Sequence, residues 1–344
     1  MEMNRAIASL LIISITFICT SCAVKSIGPK RVIAYESWQK LIATDNYLAL
    51  GSEHNVYICK QDAKWNVPKA DPNQFTCLTG GYYHLEYMGY CNGMFIVVYG
   101  DCLFTSQDGS KWQYVGMKPA SIVSIMYFNN SYYILCEDGL LLVSPRLGDN
   151  VYSKIKDDEI NKVNGAFIRN NTICAWSVDK IYEYSVDDKK WSLLCDMRDK
   201  DTKISQILRV GRKYFIPSRN KLMVSENLID WRHAADLNIW DIAEGNGTYI
   251  AIGYKQENSN EHFAFRSSDG YDWKPVDIPV LKGDGFLKIA YSRNSFVAAG
   301  THRIIAESAD GITWAIRHSE SKKYRRDVEM ETIFDSLFEG FWKM

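Results

Sequence analysis

A tryptophan-led motif recurs along this chain about every forty residues, and no other feature narrows its folding options as far. Near the C-terminus stands Ser308-Ala309-Asp310-Gly311-Ile312-Thr313-Trp314, preceded by Ser267-Ser268-Asp269-Gly270-Tyr271-Asp272-Trp273 and Ser106-Gln107-Asp108-Gly109-Ser110-Lys111-Trp112. Looser copies end in Trp231 (Ser225-Glu226-Asn227), in Trp191 (Ser185-Val186-Asp187) and in Trp65 (Gln61-Asp62). Tyr152, following Ser144, sits midway between Trp112 and Trp191. The anchors 65, 112, 152, 191, 231, 273 and 314 are thus separated by 47, 40, 39, 40, 42 and 41 residues. Four-stranded propeller blades repeat every ~40–45 residues, and the 3.6-residue apolar periodicity of helical hairpin repeats is missing between the anchors.

Upstream of each anchor lies an apolar run such as Phe95-Ile96-Val97-Val98, Tyr249-Ile250-Ala251-Ile252 or Phe296-Val297-Ala298-Ala299. Each run follows a hairpin-type turn, among them Asn92-Gly93, Asn129-Asn130, Asn246-Gly247 and Arg293-Asn294. One unit therefore reads inner strand, Asn/Gly turn, second strand, short loop, third strand, Ser-x-Asp-Gly turn and Trp-led outer strand. Seven such units predict an all-β fold, a seven-bladed β-propeller of four-stranded antiparallel blades over residues 35–320. Seven lies within the ~4–8 blades that close a ring. Closure is needed because a lone blade buries too little and leaves its strand edges open. Ten Trp, 21 Tyr and 14 Phe beside 8 Pro agree with strands rather than helices.

The Ser-x-Asp-Gly turn resembles the Asp-box of bacterial-neuraminidase-type (BNR) repeats, in a form one residue shorter than the common Ser-x-Asp-x-Gly-x-Thr-Trp spacing. The resemblance covers about Trp38 to His318. It implies a structural role for Asp108, Asp187, Asp269 and Asp310, whose carboxylates accept backbone N–H groups, and it places these turns on the face opposite the ligand-binding loops. Sialidases share the turn, but their family pattern requires an arginine cluster, a Tyr nucleophile and an Arg-Ile-Pro tripeptide on a six-bladed ring. That tripeptide is missing, and Phe215-Ile216-Pro217 lacks the Arg.

Candidate binding residues then fall on the opposite, top face. The loops joining second to third strands carry Glu53, His54, Asp101, Glu137, Asp138, Asp179, Arg219, His302 and Arg303, and the long insertion from Lys255 through Glu257 to His262. Departures from a regular repeat are where function tends to sit. Aligning the inner strands brings Lys40, Ser124, Asn164, Gln206, Asp241 and Lys288 to one level, with Glu86 or Tyr87 in the second unit. Polar residues at one level of the innermost strand suggest a hydrated axial channel, in which Asp241 and Lys288 on adjacent blades could pair. The expected activity is non-enzymatic binding or scaffolding. The alternative is a carbohydrate-active enzyme, a glycoside hydrolase or sialidase-like protein, using top-face carboxylates.

Other chemistries lack a signature. Forty basic against 41 acidic residues leave a net charge of −1, with no global field for nucleic acid. Six His residues form no HExxH pattern, and the one CxxC spacing, Cys19 to Cys22, falls in the N-terminal signal segment, so no metal site is indicated, nor any cofactor. No phosphate loop, dinucleotide fingerprint or GxSxG elbow occurs.

The termini carry an address. Residues 6–19 are uncharged and follow Arg5, fitting the ~7–15-residue apolar core of a secretory signal. Thr20-Ser21-Cys22 resembles the bacterial lipobox, with Cys19 departing from the preferred Leu. The resemblance implies a signal peptide over 1–22, lipidation at Cys22 and a tether over 23–34. The protein is then expected at the cell envelope, as an outer-membrane lipoprotein facing the periplasm or exterior. There it is expected to act as a monomer with a protein or glycan partner. In the tail 321–344, Ile333, Leu337, Phe338 and Phe341 follow helical spacing, predicting a short amphipathic helix. Cys136 and Cys174 read as buried small hydrophobes, while Cys91 with Cys102, or Cys59 with Cys77, could form a disulfide.

Overall fold

Seven antiparallel sheets follow one another along the chain, each a meander of consecutive strands. The computed structural model describes residues 37–319 apart from 45, 53–54, 61–83, 149–151, 159, 255–261 and 280–284. The signal segment, the tether, the tail helix, Trp65 and Cys22 therefore lie outside the described residues. Six sheets have four strands, and the first has three among the described residues. The blades span 40–60, 85–117, 122–155, 165–196, 208–235, 238–276 and 286–318. The expected seven-bladed propeller is the observed fold.

The first hairpin of most blades is closed by residues that tolerate positive φ. Asn92-Gly93 (51° and 72°), Asn246-Gly247 (51° and 69°), Asn129-Asn130 (46° and 57°) and Arg293-Asn294 (48° and 60°) all adopt it at both positions. This is the signature of two-residue turns whose twist matches that of the strands they join.

The core is not central. It is divided into seven apolar clusters among the described residues, one at each contact between neighbouring blades. The second strands supply much of it, since they run between two sheets and bury nearly every side chain, as in Phe95–Val98 and Phe296–Ala299. Ring closure brings blade 1 against blade 7. There Trp38, Leu48, Leu50 and Tyr57 pack with Val297, Ala299 and Ile305. The Trp38 amide donates to the Gly300 carbonyl (2.9 Å), and Ser292 Oγ donates to the Thr44 carbonyl (3.0 Å).

The Ser-x-Asp-Gly turns are held by their own side chains. In blade 7, Asp310 Oδ1 accepts the amides of Ile312 and Thr313, both at 2.8 Å, while Ser308 Oγ accepts the Gly311 amide (2.9 Å) and donates to Asp310 (3.0 Å). Asp269 repeats the arrangement in blade 6 with Tyr271, Asp272 and Ser267. These amide bonds stabilise the ionised carboxyls, holding Asp310 and Asp269 below their ordinary value. At Gly311, φ is +72° and a Cβ would lie 2.4 Å from Ile250 of the preceding blade. In blade 5 Leu228 takes the glycine's place at φ 68° and fills the neighbouring core, fully buried, and Asn227 replaces the Asp.

Among the described residues, Cys91, Cys102, Cys136, Cys174 and Cys195 are free thiols. The Cys91–Cys102 bridge is not formed: Cys91 pairs with Met94 and Cys102 with Tyr99, at opposite ends of one sheet. For the other candidate pair, Cys77 lies outside the described residues. Cys136 and Cys174 are fully buried, and burial pushes each thiol up to about 11.

Candidate functional site

Two kinds of segment meet on the top face: the loops between second and third strands, and the connections from one blade to the next. Backbone hydrogen bonds tie them together. The Lys118 amide donates to Asp101 (2.8 Å), Val163 to Glu137 (2.9 Å), Met197 to Asp179 (2.8 Å), Ile204 to Val178 (2.7 Å) and Thr301 to Gly285 (2.9 Å). The loops are therefore braced rather than free-standing, and the face forms a continuous surface over several blades.

Several of its carboxylates are paired with cations. Lys118 Nζ lies 2.5 Å from Glu86 and 3.4 Å from Asp101. Lys162 faces Glu137 at 3.9 Å, and Lys156 faces Asp138 at 3.5 Å while donating to the Asp138 carbonyl. Hydrogen bonds from the Arg198 guanidinium and amide hold Asp196 down at about 2. Glu137 and Asp138 line a concavity of about 400 Å³ with Ser121, Asn161 and Lys162, between blades 3 and 4. A larger one, about 700 Å³, runs along the flank between blades 2 and 3 beside Tyr114 and Met117, which are 48% and 57% exposed.

The other expected residues are scattered. Arg219 is exposed beside Asn220, whose amide and side chain pair with Asn238. His302 and Arg303 form a turn with φ of 48° and 55°, and Arg303 is withdrawn into the closure seam, 4% exposed. Its guanidinium sits 5.1 Å from the Trp38 ring centroid and 4.6 Å from that of Tyr57. His262 opens the third strand of blade 6. Glu53, His54, Lys255 and Glu257 lie outside the described residues. Lys118, Asn161 and Lys162 were missed because they sit on blade connections; aligning the unit ends as well as the loops would have drawn attention to them.

The inner-strand level forms a belt of inter-blade bonds. Lys40 Nζ donates to the Glu86 carbonyl (2.6 Å). Tyr87 Oη donates to the Ile125 carbonyl (3.2 Å) and accepts its amide (3.1 Å). Ser124 bonds both backbone groups of Ala166. Asn164 Nδ2 donates to Ile204 (3.0 Å), and Gln206 Nε2 to Trp240 (2.7 Å). Asp241 accepts the amides of Ile289 (3.0 Å) and Ile242 (3.1 Å). Bulges in blades 2, 3, 6 and 7, between Leu85 and Tyr87, Ile122 and Ser124, Ile239 and Asp241, and Phe286 and Lys288, bring the polar residue to this level. They place Tyr87, not Glu86, in the belt. Burial raises the Asp241 carboxyl above its ordinary value, with the nearby Lys288 charge and the two amides opposing that shift.

No protein-family model matches this sequence, and no curated protein does. Among solved structures the chain is similar to YCF48 from Cyanidioschyzon merolae, at 12% identity and TM-score 0.60 over 78% of this chain and 94% of that one. YCF48 bound to D1 peptide aligns at 13% identity and TM-score 0.60 over 81% and 97%. An extracellular domain from B. thetaiotaomicron aligns at 10% identity and TM-score 0.56, over 80% of this chain and 38% of that one. At such identities the likeness establishes a shared propeller fold.

Proposed function

We propose that this chain is a non-enzymatic binding or scaffolding propeller of the bacterial cell envelope that receives a protein partner on its top face. The observation that carries the reading is the braced top face, where loops and blade connections form one surface around the Glu137–Asp138 concavity. Preorganised surfaces of this kind lose little entropy on docking. A propeller of the same fold is described with a bound peptide, and another is an extracellular domain. The enzyme alternative needs two carboxylates acting as acid and base or nucleophile. Glu86 and Asp101 converge on Lys118, while Glu137 and Asp138 each face a lysine, so each of these carboxylates is engaged by a cation.

The amide-accepting aspartates support reading the turns as Asp-boxes, and Thr20-Ser21-Cys22 supports export and a lipid tether at Cys22. Capture with tethered protein from native membranes, run beside a glycan array, tests the partner class. A specific glycan hit would displace the scaffold reading. Cys22→Ala should release the protein from the membrane fraction, and unchanged partitioning would exclude the tether.

A further inference from the structure

The belt of inter-blade bonds is interrupted at one joint. Lys40, Tyr87, Ser124, Asn164, Gln206 and Asp241 each bond to the backbone of the next blade. The side chain of Lys288, whose backbone pairs with Ala299 at the same level of blade 7, makes no hydrogen bond among the described residues. Its inner strand, Phe286–Ser292, lies against the inner strand of blade 1, Lys40–Ala43, so the belt carries two lysines in succession there.

We propose that the axis of the ring holds a small oxyanion, a carboxylate or an inorganic phosphate, between Lys40 and Lys288 at the joint of blades 7 and 1. Two half-buried lysines on adjoining inner strands repel, and an anion between their ammonium groups would replace that repulsion with two charge-assisted contacts. The tension is visible at Lys40, which burial and the Lys288 charge pull down to about 8 despite the attraction of Glu86. Asp241 also lies near Lys288, but its two oxygens accept the Ile289 and Ile242 amides. The inner strands surround the central channel, which gives a small ion a route to the site from solvent. This inference does not depend on what docks on the top face.

Phosphate and, separately, acetate are titrated into the full protein at fixed ionic strength, with thermal unfolding and lysine Nζ resonances as readouts. A saturable rise in Tm is expected, together with an upward move of the Lys40 titration. Lys288→Gln should weaken the effect at least about tenfold, the loss of one charge-assisted contact, whereas Lys288→Arg should keep it. Lys288 makes no hydrogen bond that its replacement would break, so Lys288→Gln reports on binding rather than on folding. A rise of equal size in Lys288→Gln, or no saturable rise with either anion, would overturn the proposal.

Discussion

Ser124 of blade 3 donates its hydroxyl to the Ala166 carbonyl at 3.0 Å and accepts the Ala166 amide at 2.9 Å, so one side chain closes both backbone groups of an inner-strand residue on blade 4. Inner strands are too far apart to form a sheet with one another, which leaves polar groups facing the axis in need of partners. Ser124→Ala would strand an amide and a carbonyl. It should cost about 1–3 kcal/mol in denaturant unfolding, and a loss near zero would mean that water substitutes fully.

The closure seam rests on one large side chain. Trp38 is fully buried between blades 1 and 7, edge-on to Tyr57 and beneath the Arg303 guanidinium. Trp38→Ala should destabilise by about 3–5 kcal/mol, through lost transfer energy and a cavity that the surrounding sheets cannot collapse. Calorimetry should show earlier unfolding of the whole ring, because an opened seam exposes two blade faces at once.

Asp310 and Asn227 do the same work in blades 7 and 5, each accepting two successive backbone amides through one oxygen. That equivalence predicts an order. Asp310→Asn should be nearly neutral, while Asp310→Ala should lower stability by about 1–2 kcal/mol. Chemical denaturation of the two variants, measured side by side, gives the comparison.

Lys40 titrates at about 8 in the folded ring, against 10.5 as an isolated side chain. Between those values the unfolded chain binds more protons than the folded one, so this group's contribution makes stability rise as the pH increases from about 8 to about 10.5. Subtracting the pH–stability curve of Lys40→Met from that of the native protein should reveal that rise. A flat difference would show that Lys40 is solvated like a surface lysine.

The period of the Trp-led turns was readable because turn chemistry is local. Asp, Gly and Trp within seven residues specify their own hydrogen bonds, whichever blades lie on either side. The polar level of the inner strands was readable too, since it repeats with the blade. What those residues bond to was not, because each reaches a backbone about forty positions away, as Gln206 reaches Trp240. The choice between Glu86 and Tyr87 turned on a bulge, a feature of strand twist that leaves little trace in residue types. Arg303 reads as a loop cation in sequence but is buried, because only ring closure brings Trp38 over it. The Cys91–Cys102 pairing failed for a related reason: closeness along a hairpin does not imply closeness across the sheet.

Docking on the top face is tested most directly by site-specific photocrosslinking in native membranes. One probe is placed at exposed Asn161 beside the Glu137–Asp138 concavity, and another at exposed Asp272 in a turn on the opposite face. One discrete protein adduct from position 161 and none from 272 is the predicted result. Adducts from 272 alone, or equal labelling from both, would contradict it.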